Sequence, residues 1–263
     1  MRAGSTAFGL LVLQLLAGAA AAAECPHRNA LGTARTLEIS SREMPRVGLK
    51  HFPTSLPLQD KEVVLTFDDG PFPPTTRRVL TALADQCVHA TFFLIGRNAV
   101  HSPDIVRRIA ADGHTIAFHS WSHRILSRIP PPAAEDEIDR GIAAVEAAVK
   151  GKTEFNMAGL HEGAQPTRFF RFPGFASTPA LLSGLNGRNI VVFGADLWAS
   201  DWNRMSPDEE LRQAITRLKA ARKGIILFHD IKAQTAAMLP AFLQFLKDNG
   251  YRIVHAVPSG TVN

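Results

Sequence analysis

From Glu62 onward the chain alternates short apolar runs, rich in β-branched and aromatic residues, with longer segments of helical period. No other feature narrows the choice of fold as far. The runs fall at 63–67, 90–95, 115–118, 169–172, 190–195, 225–228 and 253–257. The helical segments fall at 75–86, 103–112, 133–150, 178–187, 207–221 and 233–249. Strands separated by helices pair in parallel through right-handed crossovers, which leaves an open doubly wound sheet or a closed barrel one unit short of eight.

The polar residues that end the runs choose between the two. Asp68 and Asp69 follow the first run, His119 the third, Asp196 and Asp201 the fifth, and His229 and Asp230 the sixth; Arg171 lies at the end of the fourth. An open sheet gathers its reactive groups at one switch point, whereas a barrel brings side chains from many strand ends to one C-terminal face. The sequence therefore predicts an α/β fold: a distorted (β/α)7 barrel of parallel strands with its active site at the C-terminal strand ends.

Residues 1–23 run from Arg2 through an apolar stretch at 7–17 to a string of alanines ending at Ala23. That order is the pattern of a secretory signal peptide, and its apolar stretch is shorter than the roughly 20 residues a bilayer span needs. Residues 24–60, punctuated by Pro26, Pro45, Pro53 and Pro57, hold no sustained period and read as an irregular N-terminal arm. Residues 61–263 form one domain, for which a chain that is 46% apolar supplies a substantial core. The expected location is secreted or periplasmic, with no integral membrane segment after signal cleavage. The net charge of +5 is spread along the chain rather than clustered, which argues against a nucleic-acid partner. The two cysteines, Cys25 and Cys87, either form one disulfide tying the arm to the domain, or Cys87 is an ordinary buried small residue.

Thr66-Phe67-Asp68-Asp69-Gly70-Pro71 closes the first run with two adjacent carboxylates, which resist joint ionisation unless a cation sits beside them. A helix-capping turn explains only one of them. In His119-Ser120-Trp121-Ser122-His123 two imidazoles stand four residues apart, and a helical turn there faces both toward one metal ion. With Asp69 they make a three-ligand site that leaves a position for water. Asp68 is then placed as general base and His229, at another strand mouth, as general acid. Arg171 orients Asp68 and Asp201 holds His229 protonated; the plainer alternative for these two is a surface ion pair. Trp121, Trp198 and Trp202 are either core residues or stacking surfaces for sugar rings.

Taken in order, Thr66 to Pro71, His119-Ser-x-x-His123, Arg171-Phe-Pro173-Gly174, Asp201-Trp202 and Leu227-Phe-His229 resemble the five motifs of the polysaccharide deacetylases, the NodB-homology family of carbohydrate esterase family 4. The resemblance implies Asp68 as base, Asp69, His119 and His123 as metal ligands, Arg171 and Asp201 as the residues that tune base and acid, and His229 as acid. It also implies Leu227 lining the pocket for the acetyl methyl group, a divalent metal (zinc, with cobalt or nickel as alternatives), and N-acetylated carbohydrate substrates. The third motif departs from the family pattern at Phe172 and Gly174, where a second proline and an aromatic residue are frequent. The backbone N–H of Gly174 can still bind an oxyanion, since that donor does not depend on a side chain. The polar stretch 153–167, with Asn156, His161 and Glu162, reads as an enlarged loop beside the substrate groove.

The expected function is that of an exported metal-dependent hydrolase removing N-acetyl groups from a peptidoglycan- or chitin-like polymer or oligosaccharide. The alternatives are an O-acetyl esterase acting on a xylan-like polymer and an inactive sugar-binding protein on the same scaffold. Every residue type the chemistry needs is present, which argues against the second alternative. No Gly-x-Ser-x-Gly elbow supplies a serine nucleophile.

Overall fold

A computed structural model of the protein describes residues 25, 27, 29–157, 160 and 167–260. The signal peptide expected at 1–23, and His161 and Glu162 of the expected groove loop, lie outside them. In chain order the elements are β1 (Thr33–Ile39), β2 (Arg46–Val47), β3 (Glu62–Asp68), α1 (Pro73–Asp85), β4 (Thr91–Leu94), α2 (Gly96–His101), α3 (Pro103–Ala111), β5 (Thr115–Phe118), α4 (Pro131–Val149), β6 (Arg168–Phe170), α5 (Pro179–Gly187), β7 (Ile190–Phe193), β8 (Leu197–Trp198), α6 (Pro207–Ala221), β9 (Gly224–His229), α7 (Ala233–Asp248) and β10 (Arg252–Pro258). Proline opens α1, α3, α4, α5 and α6. Its fixed φ suits the first helical position, and its missing N–H would have had no intrahelical partner there.

The pairing is parallel throughout and runs β8-β9-β3-β4-β5-β6-β7, so seven strands form the wall of the expected distorted barrel. Because side chains alternate across a strand, each wall strand feeds two cores. Val64, Phe93, Ala117, Phe169, Val191, Phe193 and Ile225 fill the lumen. Their strand neighbours, among them Leu65, Phe67, Phe92, Phe170, Val192 and Phe228, pack outward against the helices. Strands buried on both faces read as continuous apolar runs rather than alternating ones, which is how the sequence presents them.

The barrel is not closed by hydrogen bonds between β7 and β8. That seam is occupied by the N-terminal arm. β2 pairs with β7, Lys50 N–H donates to the Ala195 carbonyl, and Asp196 accepts from the Leu49 N–H, the Ser55 hydroxyl and the Ile225 N–H, each at 2.7 Å. Asp196, one of the polar strand-end residues, is therefore a brace between arm and barrel.

Two expectations require correction. Residues 24–60 are not irregular throughout, since β1 and β2 lie within them. β1 carries few strongly apolar residues, and its order comes from a long parallel ladder with β10 and from Arg35, which makes a two-pronged bond to buried Glu62 at 3.0 and 2.7 Å. The last apolar run, 253–257, is not a wall strand of the kind expected. It forms β10, which pairs with β3 only at Glu62 and Val63 and accepts from Thr115 at the start of β5 through the Ala256 carbonyl, while Ser259 just beyond it meets Thr167 before β6. The seventh wall strand is instead the two-residue β8. Cys25 and Cys87 are disulfide-bonded, tying the arm to the turn after α1. Among the described residues no helix is long and apolar enough to cross a membrane.

Candidate active site

The alternation that fills the lumen also carries the polar residues to its mouth. Asp68 continues the inward series Val64 and Thr66, Arg171 follows Phe169, and His229 follows Ile225 and Leu227. His119 follows Ala117 one residue beyond the end of β5. Each lies at or just past the C-terminal end of its strand, so neighbouring parallel strands bring them together without any long loop.

Asp69 Oδ1 lies 3.5 Å from His119 Nε2 and 3.3 Å from His123 Nε2. Ligand atoms about 2.1 Å from a tetrahedral zinc ion are separated by about 3.4 Å, so the donor set fits a small divalent ion. Asp69 Oδ1 is buried and has no hydrogen-bond partner among the described residues, which is costly unless a cation meets it. His119 donates from Nδ1 to the Arg171 carbonyl at 2.7 Å, which turns the Nε2 lone pair toward Asp69. Burial above all, with some offset from Asp69, pushes the His119 imidazole down to about 3 and keeps it neutral, as a ligand must be.

The two histidines do not meet through the expected helical turn. Ser120 and His123 adopt positive φ (61° and 65°), and the loop bends back so that His123 N–H donates to Ser120 Oγ at 3.0 Å. A helical turn lacks the tertiary contacts that this bend makes. Glu137 of α4 accepts from Ser122 N–H and Oγ at 2.9 and 2.6 Å, and its carbonyl accepts from Trp121 N–H at 2.8 Å.

Arg171 and Asp201 are not a surface ion pair, because both are fully buried and each faces a different partner. Arg171 Nη1 donates to Asp68 Oδ1 at 2.6 Å and to Thr66 Oγ1 at 2.9 Å. Its Nη2 reaches the Gly194 carbonyl at 2.8 Å, and the guanidinium lies 4.1 Å from the Phe93 ring centre. Burial raises the Asp68 carboxyl, and Arg171 and His229 counter that rise. Asp201 accepts from His229 Nδ1 at 2.8 Å and from the His229 backbone N–H at 2.7 Å. Burial opposes charge on His229, yet Asp201, with Asp68 and Asp69, raises it to about 9.

Of the remaining candidates, Trp202 is 47% exposed, edge-on to His229 at 6.1 Å and to Trp198 at 5.6 Å. Leu227 is buried beneath His229 on the inward face of β9, and Gly174 is exposed at φ 58° in the turn after β6. Trp121 packs against Phe155 and under Arg140. Sequence reasoning missed Glu137, Gly141 and Asp230 as supports. A Cβ on Gly141 would meet the Ser120 carbonyl carbon at 2.5 Å, and a Cβ on Gly70 would collide with the buried Asp230 carboxylate, to which Thr76 Oγ1 donates at 2.5 Å. A glycine in mid-helix, as Gly141 is, was the available signal.

Residues 56–160 match a family model described as polysaccharide deacetylase. A peptidoglycan-N-acetylglucosamine deacetylase of Bacillus cereus is 32% identical over 223 residues, covering 80% of this chain and 75% of that relative. A chitooligosaccharide deacetylase of Rhizobium leguminosarum is 32% identical over 210 residues, covering 74% and 89%. Among solved structures, a peptidoglycan deacetylase of Bdellovibrio bacteriovorus superimposes with a TM-score of 0.74 at 27% identity, over 89% of this chain and 62% of that one. A family 4 carbohydrate esterase of Streptomyces lividans in complex with acetate gives 0.59 at 30% identity, over 74% and 91%. With 32% identity sustained along three-quarters of the Bacillus cereus relative, and with the matching fold, the chain belongs to the polysaccharide deacetylase family of hydrolases.

Proposed function

We propose that this protein is an exported, metal-dependent N-deacetylase acting on N-acetylated sugar polymers or oligosaccharides of the peptidoglycan or chitin type. The observation that carries the reading is the position of two differently tuned groups on either side of one donor cluster. Asp68 Oδ2 lies 3.8 Å from His119 Nε2, and His229 Nε2 lies 3.9 Å from Asp69 Oδ2. The names of the Bacillus cereus and Rhizobium relatives support the N-acetylated substrate class. The Cys25–Cys87 disulfide supports export, since such bonds persist in oxidising compartments.

Asp69, His119 and His123 would hold the metal, which when bound supplies a Lewis acid and lowers the pKa of water. Asp68, held by Arg171, accepts the proton of the attacking water; its carboxyl, raised by burial, is a better base than an exposed aspartate. His229, raised to about 9, carries a proton at neutral pH and gives it from Nε2 to the departing amine, while Asp201 fixes Nδ1. Trp202 offers a sugar ring a stacking face, Leu227 lines the floor under the acetyl methyl group, and the Gly174 N–H is the candidate donor to the oxyanion.

The test is acetate release from acetylated chito-oligosaccharides and peptidoglycan fragments, compared with acetylated xylan. Chelation should abolish release and zinc or cobalt should restore it. Full activity in a verified metal-free preparation, or a preference for xylan, overturns this reading.

A further inference from the structure

Behind His229 runs a buried chain of hydrogen bonds that these proton transfers do not use. Thr235 Oγ1, in the first turn of α7, lies 3.0 Å from Asp201 Oδ2 and 2.8 Å from Glu210 Oε1, in the first turn of α6. Glu210, Thr235 and Asp201 are all completely buried, and Glu210 Oε2 has no hydrogen-bond partner among the described residues. A threonine hydroxyl has one proton and cannot donate to two carboxylates. If both acids were ionised, one of them would face the lone pairs of Thr235 in a site without solvent. Asp201 is the ionised one, because it already accepts two N–H groups of His229.

We propose that Glu210 is a positioning residue for the general acid: in its neutral form it donates its carboxyl proton to Thr235 Oγ1, which aims the Thr235 hydroxyl at Asp201 and completes the donor set holding Asp201 against His229. Burial, then the charge of Asp201, pushes the Glu210 carboxyl up to about 7, with Thr235 and His229 pulling the other way. The charged groups that face Glu210 are Asp201, in the loop after β8, and His229, at the end of β9; α7 presents the Thr235 hydroxyl. Ionisation of Glu210 turns that hydroxyl round, takes one donor from Asp201 and adds a second negative charge behind His229. The lost donor frees Asp201 from one of the bonds that fix it against His229, so the imidazole is held less well for proton transfer to the leaving amine.

The inference rests on the deacetylase reading, so its test pairs an activity readout with one that needs no substrate. A folded-state carboxyl raised above its unfolded value gives stability that is full below about 4.5 and is lost as pH rises to about 7. Melting temperature measured across this interval should therefore fall more in the wild type than in Glu210→Gln, whose amide donates to Thr235 but cannot ionise. In kcat profiles for acetate release, the decline centred near pH 7 should be present in the wild type and absent in Glu210→Gln. Thr235→Val should lower kcat by about tenfold to a hundredfold, the loss expected for one bond to a buried charge, while KM moves less. Thr235→Ser should recover it. Parallel melting profiles for wild type and Glu210→Gln overturn the proposal whether or not substrate is turned over. Absence of acetate release from the wild type sinks the deacetylase reading, and the melting profiles then decide the protonation of Glu210 on their own.

Discussion

Arg171 Nη1 stands 2.6 Å from Asp68 Oδ1, with both residues closed off from solvent. The pair spans two wall strands 103 residues apart in sequence and lies at the top of the lumen. The guanidinium donates to oxygens of Asp68, Thr66, Phe193 and Gly194.

Removing one partner of such a pair strands the other as a buried charge. Arg171→Met should cost about 3–5 kcal/mol in denaturant unfolding and should also suppress acetate release, because Asp68 then favours its protonated form. Arg171→Lys keeps the charge without the fork geometry and should fall between Met and wild type on both measures.

Asp68→Asn keeps the shape of the proposed base and removes its proton affinity, so turnover should fall by roughly 10²- to 10⁴-fold with bound metal retained. His229→Ala should do comparable damage, again with metal retained. His119→Ala and Asp69→Asn should lower metal content itself. Metal analysis and acetate release run in parallel decide the assignment, and metal loss in Asp68→Asn with retention in Asp69→Asn would mean the two adjacent aspartates have exchanged roles.

Gly141 and Gly184 are both helix glycines, yet they should respond oppositely to alanine. A Cβ at Gly184 meets nothing within 4 Å, so Gly184→Ala should stabilise by about 0.5–1 kcal/mol. A Cβ at Gly141 enters the Ser120 carbonyl, so Gly141→Ala should displace the 119–123 bend and weaken metal binding despite better helix propensity. Equal effects from the two substitutions would remove Gly141 from the site's support.

His89, His114 and His255 cluster near the start of β5, where Thr115 Oγ1 lies 2.8 Å from His255 Nε2. Burial is the leading cause that depresses all three imidazoles, His114 to about 3 and His255 to about 4. Between the unfolded value of about 6.5 and these folded values the unfolded chain binds more protons, so stability should fall as pH drops through that window. His114→Asn should flatten that limb of the melting-temperature profile. An unchanged slope would assign acid sensitivity to other groups.

The Cys25–Cys87 bond closes a loop of 62 residues. Under the chain-entropy model its loss costs about 4 kcal/mol, so Cys87→Ser should lower the unfolding midpoint. Non-reducing peptide mapping of the purified protein should recover Cys25 and Cys87 in one linked peptide.

What the sequence determined by itself was whatever depends on near neighbours. Asp68, His119, Arg171 and His229 each end or follow a short apolar run, so their places along the chain alone assigned them to the C-terminal strand ends. Only the tertiary structure decided the rest. β1 exists through its ladder to β10, more than 200 residues away, and its own composition is too polar to announce it. The β7–β8 seam is filled by an arm whose hydrogen bonds run to Asp196, and the bend at Ser120 and His123 is held by Glu137 and Gly141 of a helix that follows it. Likewise Glu210 reads as one more acid in an N-terminal helical turn until α7 brings Thr235 against it. Contacts of that range depend on how the layers pack, and no window of sequence contains both partners.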